Sequence, residues 1–163
     1  MIGNCSIGVT YGNQRRDGED PIVDCFARVE NMPKSVLGKV ADACTWTDSQ
    51  QYLDHLGGLA LGPNVIPLIP HSMLRVEVMG LQASINRRPT RRERASMERL
   101  LDAGMAQGYA GFSTDALPFH FLANSPHKKS RIPTQYAGFR ELARLTGVVR
   151  RYGRVWQATP PKD

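Results

Sequence analysis

Asn64-Val-Ile-Pro-Leu-Ile-Pro-His-Ser-Met-Leu-Arg75 is the stretch that decides how this chain folds. The apolar run from Val65 to Ile69 is too short for a helix and lacks the alternation of a half-buried strand. It therefore reads as a strand buried on both faces. It ends abruptly in polar groups: His71, Ser72 and Arg75. α/β enzymes build their sites from groups delivered at the C-terminal ends of buried parallel strands. Two other stretches have the same form, Ile2-Gly-Asn-Cys5 leading into Ser6-Ile-Gly-Val-Thr10, and Tyr109-Ala-Gly-Phe-Ser-Thr-Asp115.

Helical patterns fall between these runs. Thr90-Arg-Arg-Glu93 is a capping box, after which Met97, Leu100, Leu101 and Met105 recur at helical spacing until Gly108. Trp46 to Leu56 predicts a second helix with Thr47 or Asp48 as N-cap. A third begins near Thr134, with Phe139, Leu142, Leu145 and Val149 on one side and Gly153 beyond its end. Arg154 to Ala158 is the last strand, stopped by Thr159-Pro-Pro161. Residues 11–35 and 115–133, rich in turn formers, read as irregular loops. Strands separated by helices pair in parallel through right-handed crossovers. The expected four strands and three helices amount to about half of a (β/α)8 barrel of ~250 residues. The pattern by itself also allows a small doubly wound sheet. No repeat or linker divides the chain, so residues 1–163 read as one domain.

A hydrophobic content of 41% and a charged content of 22% are those of an ordinary soluble domain. The N-terminus has neither the basic nor the apolar region of a signal peptide, and no run approaches the roughly 20 apolar residues of a membrane span. Cys5, Cys25 and Cys44 are odd in number and form no CxxC pair, which points to a reducing cytoplasm. The net charge of +6 raises the question of nucleic acid. Its clusters, Arg87-Arg88, Arg91 to Arg94, Lys128-Lys129-Ser-Arg131 and Arg150-Arg151, fall largely where a helix would solvate them or where its C-terminal dipole would favour them. No zinc finger, RNP-like strand or GXXG loop accompanies them, so nucleic-acid binding is disfavoured.

Gly3-Asn4-Cys5, Pro70-His-Ser-Met-Leu-Arg75 and Gly111-Phe-Ser-Thr-Asp115, with the Tyr52-Leu-Asp54 core of the Trp46–Leu56 helix, resemble the D-aminoacylase (N-acyl-D-amino-acid deacylase) branch of the amidohydrolase superfamily. The resemblance covers nearly the whole chain but only part of the family's protein. It implies an α/β fold, an incomplete (β/α)8 TIM barrel, and a metal-dependent hydrolase of carbon–nitrogen bonds acting on a small N-acyl amino acid or related amide. Cys5 matches the family's zinc ligand, with Ser6 in place of the usual Gly. His71, Arg75, Ser113 and Thr114 match strand-end positions expected on the substrate side. Pro70 and Asp115 replace family glycines, and Thr159 stands where relatives carry a metal-binding His. The family's early His-x-His pair would lie before Met1, and its later His and catalytic Asp after Asp163. The resemblance thus implies no catalytic residue in this segment, zinc in a longer parent, and weak or absent metal binding here. It also implies an inactive fragment that self-associates through open barrel edges.

Each of these residues has a plainer reading. Cys5 would be a buried free thiol. His71 would be a ligand, a proton carrier or a hydrogen-bond post, and Arg75 would brace a carboxylate of substrate or of a neighbouring side chain. Ser113 lacks the G-x-S-x-G elbow of a nucleophile. Pooling Cys5 with His71, His120 and His127 as a zinc set has no spacing to support it. The competing class is a non-catalytic α/β module, either a truncated pseudoenzyme or a basic binding protein.

Overall fold

The structure, a computed structural model, describes residues 1–12, 15 and 18–161. Strands β1 (Leu68–Pro70), β2 (Gly111–Asp115) and β3 (Val155–Thr159) form a parallel sheet in that order. Leu68 pairs with Gly111, and Gly111 in turn with Val155; the register carries Asp115 opposite Thr159. On the far side of β1, Ile2 makes one parallel bridge with Pro67. Ile2, β1, β2 and β3 therefore follow one another in chain order, without the reversal of a doubly wound sheet.

The expected strand at Ser6–Thr10 does not form. Gly3, Cys5 and Ser6 take φ of 80°, 52° and 65°, and Asn4–Ser6 coils into a 3-10 turn. Left-handed backbone ends an extended run, so the strand position is held by Ile2 before the turn rather than by residues after it. β1 is also shorter than predicted. Pro67 and Pro70 bracket it and offer no N–H to a ladder, and helix α4 (His71–Met79) starts at once. His71 thus opens a helix instead of closing a strand.

The stretch 11–35 is not all loop. Helix α1 (Pro21–Val29) begins with Asp20 accepting from the Val23 amide at 3.2 Å and Pro21 in the first turn, and α2 (Lys34–Ala43) follows Pro33. Helix α3 (Ser49–Gly57) starts three residues after the expected Trp46, with Asp48, the second of the two cap candidates, accepting from Gln51 N at 2.9 Å. Trp46 stands outside it, donating its indole N–H to Val9 O at 2.6 Å and lying against Tyr52 and His55. α5 (Leu81–Asn86) leads to α6 (Arg91–Gln107), which has both arms of the Thr90–Glu93 capping box and Gly108 at φ 111° beyond its end. A 3-10 turn at Pro133–Tyr136 precedes α7 (Phe139–Arg151). Seven α-helices and three strands stand among the described residues, against the three and four expected.

Ile69, Met73, Leu74, Met97, Leu101, Met105, Phe112, Leu145 and Val149 fill the core between the sheet and α4, α6 and α7. On α7 the buried stripe is Glu141, Leu145, Val148 and Val149; Phe139, expected on it, is 85% exposed. No helix among the described residues is long and apolar enough to cross a membrane.

Gly111 has no room for a side chain, since a Cβ there would lie 2.0 Å from Val155 O across the sheet. Gly111→Ala is expected to cost about 1–3 kcal/mol in urea unfolding by forcing β2 and β3 apart. Gly147→Ala on α7, which meets nothing within 4 Å, should raise stability by up to about 1 kcal/mol.

Candidate functional site

Arg75 projects from α4 into the protein and is fully buried. A buried guanidinium needs a carboxylate and acceptors for its remaining protons. Glu141 of α7 supplies the carboxylate: Arg75 Nη1 reaches its two oxygens at 2.5 and 2.6 Å, and Nη2 donates to Ser84 O at 2.7 Å. His71 Nε2 lies 3.0 Å from Glu141 Oε1, and His71 Nδ1 lies 2.9 Å from Thr134 Oγ1. Its ring packs against Phe112 at 5.1 Å. Burial pushes the His71 pKa down, against the pull of Glu141, so the ring is neutral. Its Nε2–H donates to Glu141 and its Nδ1 accepts from the Thr134 hydroxyl. Burial also works to raise Glu141, but its bonds from His71 and the nearby Arg75 charge outweigh this and hold it below the usual carboxyl range. The network continues from the Thr134 amide to Ser72 Oγ at 3.1 Å and on to Ser6 Oγ at 2.8 Å.

His71 and Arg75 are therefore brought together, yet both are fully buried among protein partners. Glu141 and Thr134 are members that sequence reading missed. The signal for Glu141 was present: a carboxylate on the stripe shared with Leu145 and Val148 must have a buried partner.

A second polar cluster lies at the C-terminal end of the sheet. Asp115 Oδ1 accepts from Thr159 Oγ1 at 2.6 Å, while Oδ2 accepts from Gln135 Nε2 at 3.0 Å and from Leu117 N at 3.3 Å. His120 Nδ1 stands 3.0 Å from Asp115 Oδ1. A cleft of about 450 Å³ opens alongside, with Asp115, Thr159, Gln135, Arg131 and Trp156 in its wall. Ser113 and Thr114, adjacent at the end of β2, do not share a direction. Successive strand residues point to opposite faces. Ser113 donates to Gly3 O, and Thr114 accepts the Trp156 indole N–H at 3.0 Å.

Cys5 sits half-buried in the 3-10 turn that packs against β2 and reaches β3. Burial raises its thiol pKa, and the charges of Asp115 and Glu30 raise it further, so the thiol stays protonated. Among the described residues no three His, Cys, Asp or Glu side chains converge as a metal cage. His127 lies 3.6 Å from Glu19, and His120 belongs to Asp115. Cys5 alone does not make a zinc site, since even a catalytic zinc with an open position takes three protein ligands.

The loop that carries His120 is clamped by α1 and α2. Asp24 accepts from the Ala123 and Asn124 amides at 2.7 and 2.6 Å. Arg28 donates to Leu122 O and Lys128 O, and Lys34 to Ala123 O.

No family model matches the chain. Uncharacterized proteins of Mycobacterium tuberculosis and Mycobacterium bovis are each 35% identical to it over 166 residues, covering 100% of this chain and 26% of theirs. The chain thus spans about a quarter of the length of these curated relatives. Among solved structures, an N-acyl-D-glutamate deacylase from Bordetella bronchiseptica, complexed with zinc and a phosphonate inhibitor, superposes with a TM-score of 0.65. It is 21% identical and matches 96% of this chain and 27% of its own. A D-aminoacylase described with a binuclear metal centre gives 0.55 at 22% identity, over 94% of this chain and 26% of its own. Likeness at this identity is likeness of fold: the chain folds like about a quarter of each of these two enzymes.

Glu141→Ala is expected to cost about 3–5 kcal/mol, because it strands Arg75 as a buried charge. The network also sets a pH dependence. The folded state depresses both His71 and Glu141. The unfolded chain therefore binds protons first as pH falls, and stability drops on acidification. The loss begins below the ordinary imidazole value of 6.5 and deepens below the ordinary carboxyl value of 4.5. Urea midpoints from pH 8 to pH 4 measure it, and His71→Asn should flatten the upper part of the fall.

Proposed function

We propose that this chain is about half of a (β/α)8 amidohydrolase barrel and that, within a longer protein, it helps hydrolyse the carbon–nitrogen bond of a small N-acyl amino acid or related amide. The observation that carries the reading is a parallel sheet that runs in chain order, with Cys5 in the turn packed against β2 and β3. The deacylase fold likeness supports it. In this reading Cys5 is a zinc ligand whose remaining partners come from outside these residues; zinc would polarise the scissile carbonyl. His71 and Arg75 stiffen the wall behind the substrate, while Ser113 and Thr114 fix the strand ends that border it. Three unpaired cysteines fit a reducing cytoplasm.

Nucleic acid is a poor partner because many arginines are already matched: Arg87 with Glu93, Arg144 with Glu98 and Arg151 with Asp102. The edge of β3 is a better contact surface. Val155 and Trp156 are 55% and 48% exposed, beside a cleft lined by Phe139, Leu142 and Val149. Such an edge pairs with another strand, and in the isolated chain that strand would come from a second copy.

Two measurements test this. The longer protein is assayed for amine release from N-acyl-D- and N-acyl-L-amino acids, together with metal content. Cys5→Ala should lower turnover by about 100-fold or more and remove bound zinc; unchanged activity and zinc would sink the reading. Sedimentation velocity of the 163-residue chain should show oligomers that Val155→Glu disperses.

A further inference from the structure

The basic run from Arg91 to Arg94 has no role above, and α7 adds to it. The pairs Arg144–Glu98 and Arg151–Asp102 set α7 alongside α6 with both helices running the same way. Between their early turns lies a recessed pocket of about 390 Å³, walled by Arg91, Arg94, Ala95, Glu98 and Arg144. Three guanidiniums face one carboxylate there, an excess of two positive charges. Arg144 grips Glu98 through Nε and Nη2, at 2.5 and 3.0 Å. Arg94 Nη1 donates at 3.1 Å to Pro89 O, a neutral acceptor that fixes the side chain but leaves its charge unmet. The Arg91 side chain has no partner among the described residues. Carboxylates nearby are committed elsewhere: Glu93 to Arg87, Asp102 to Arg151 and Glu141 to Arg75. The Thr90–Glu93 box already caps α6, so the positive charge here rests on side chains more than on the helix end.

We propose that this pocket binds a phosphate group through Arg91 and Arg94, with Arg144 closing its far wall. A phosphate dianion matches the excess of two charges, which a single carboxylate would leave half met. Guanidinium forks suit phosphate oxygens, because each fork can give two parallel N–H bonds. The enclosure is partly preformed: Arg94 and Arg144 are already held, and Arg91 alone has to be ordered on binding. The volume is that of a small-ligand site, so a phosphate ester fits as well as inorganic phosphate. Bound phosphate would fasten together the two helices that lead into β2 and β3. The site lies in the helix layer and does not rest on the amide-hydrolase reading, since no step of that hydrolysis uses it.

The longer protein is titrated calorimetrically with inorganic phosphate, at an ionic strength held constant with potassium chloride. Saturable binding is expected, weakened about tenfold in Arg91→Ala and in Arg94→Ala. Arg94→Lys, which keeps the charge and loses the fork, should fall between wild type and Arg94→Ala. Glu98→Gln removes the one carboxylate in the wall and should tighten binding about threefold, a gain that general damage to the fold would not give. Arg151→Ala, outside the pocket, should bind as wild type does. No saturable phosphate binding, or equal affinity in Arg91→Ala and Arg94→Ala, overturns the site; weaker binding in Glu98→Gln overturns the charge match. Glycerol 3-phosphate and vesicles of phosphatidylcholine carrying phosphatidic acid identify the source of the phosphate. Competition by glycerol 3-phosphate, with no protein on the vesicles, supports a soluble ester. Vesicle binding that Arg94→Ala abolishes and inorganic phosphate displaces supports a lipid headgroup in the same pocket. Vesicle binding without any response to inorganic phosphate overturns the pocket in favour of a diffuse basic surface.

Discussion

The guanidinium of Arg75 has no route to water, and much of the molecule follows from that. Its charge has to be met by Glu141, which ties α4 to α7, and its second nitrogen has to find the carbonyl of Ser84, which folds α5 back against α4. α7 delivers the chain into β3, so the same pair governs where the last strand joins the sheet. His71 extends the constraint through Thr134 and Ser72 to Ser6. One buried ion pair is thus linked by unbroken hydrogen bonds to the turn that carries Cys5. Replacing it by apolar groups could preserve stability, but that hydrogen-bonded alignment would be lost.

The two polar clusters divide the work. The Arg75 network lies behind the sheet and holds helices in register. The Asp115 cluster lies at the strand ends beside an open cleft. β2 sends Phe112 toward His71 on one face and Ser113 toward the Gly3 carbonyl on the other, and the clusters meet at Thr134 and Gln135, neighbours in the wall of that cleft that bond His71 and Asp115 respectively. A sheet flanked this way can be rigid on the helix side and still present chemistry at its rim.

Elements with strong local signals were legible from the sequence. The Thr90–Glu93 box, the Gly108 stop and the Asp48 cap are decided within four residues of the chain, and all stand where they were read. α1 was missed although Asp20-Pro21 is a start signal, because the surrounding Gly, Asp and Arg residues outweighed it. The strand at Ser6–Thr10 was misread because β-branched residues do not reveal left-handed backbone just before them. Of the site, Cys5, His71 and Arg75 were legible as chemical types, but their partners were not. Glu141 is 66 residues from Arg75, and Asp24 is 99 from the amide it holds. Such pairings are set by tertiary packing, and no local pattern encodes them.

The backbone at Cys5 has its own implication. Gly3, two residues earlier, takes φ 80° at little cost because it lacks a Cβ, whereas Cys5 takes φ 52° with one. An L-residue held there is disfavoured by roughly 1–2 kcal/mol relative to glycine. A turn needed only to reverse the chain would be better served by glycine at position 5. Ser6 beside it, at φ 65°, carries the same cost, so two consecutive side chains, a thiol and a hydroxyl bonded to Ser72, are held at the sheet on backbone that glycine would adopt more cheaply.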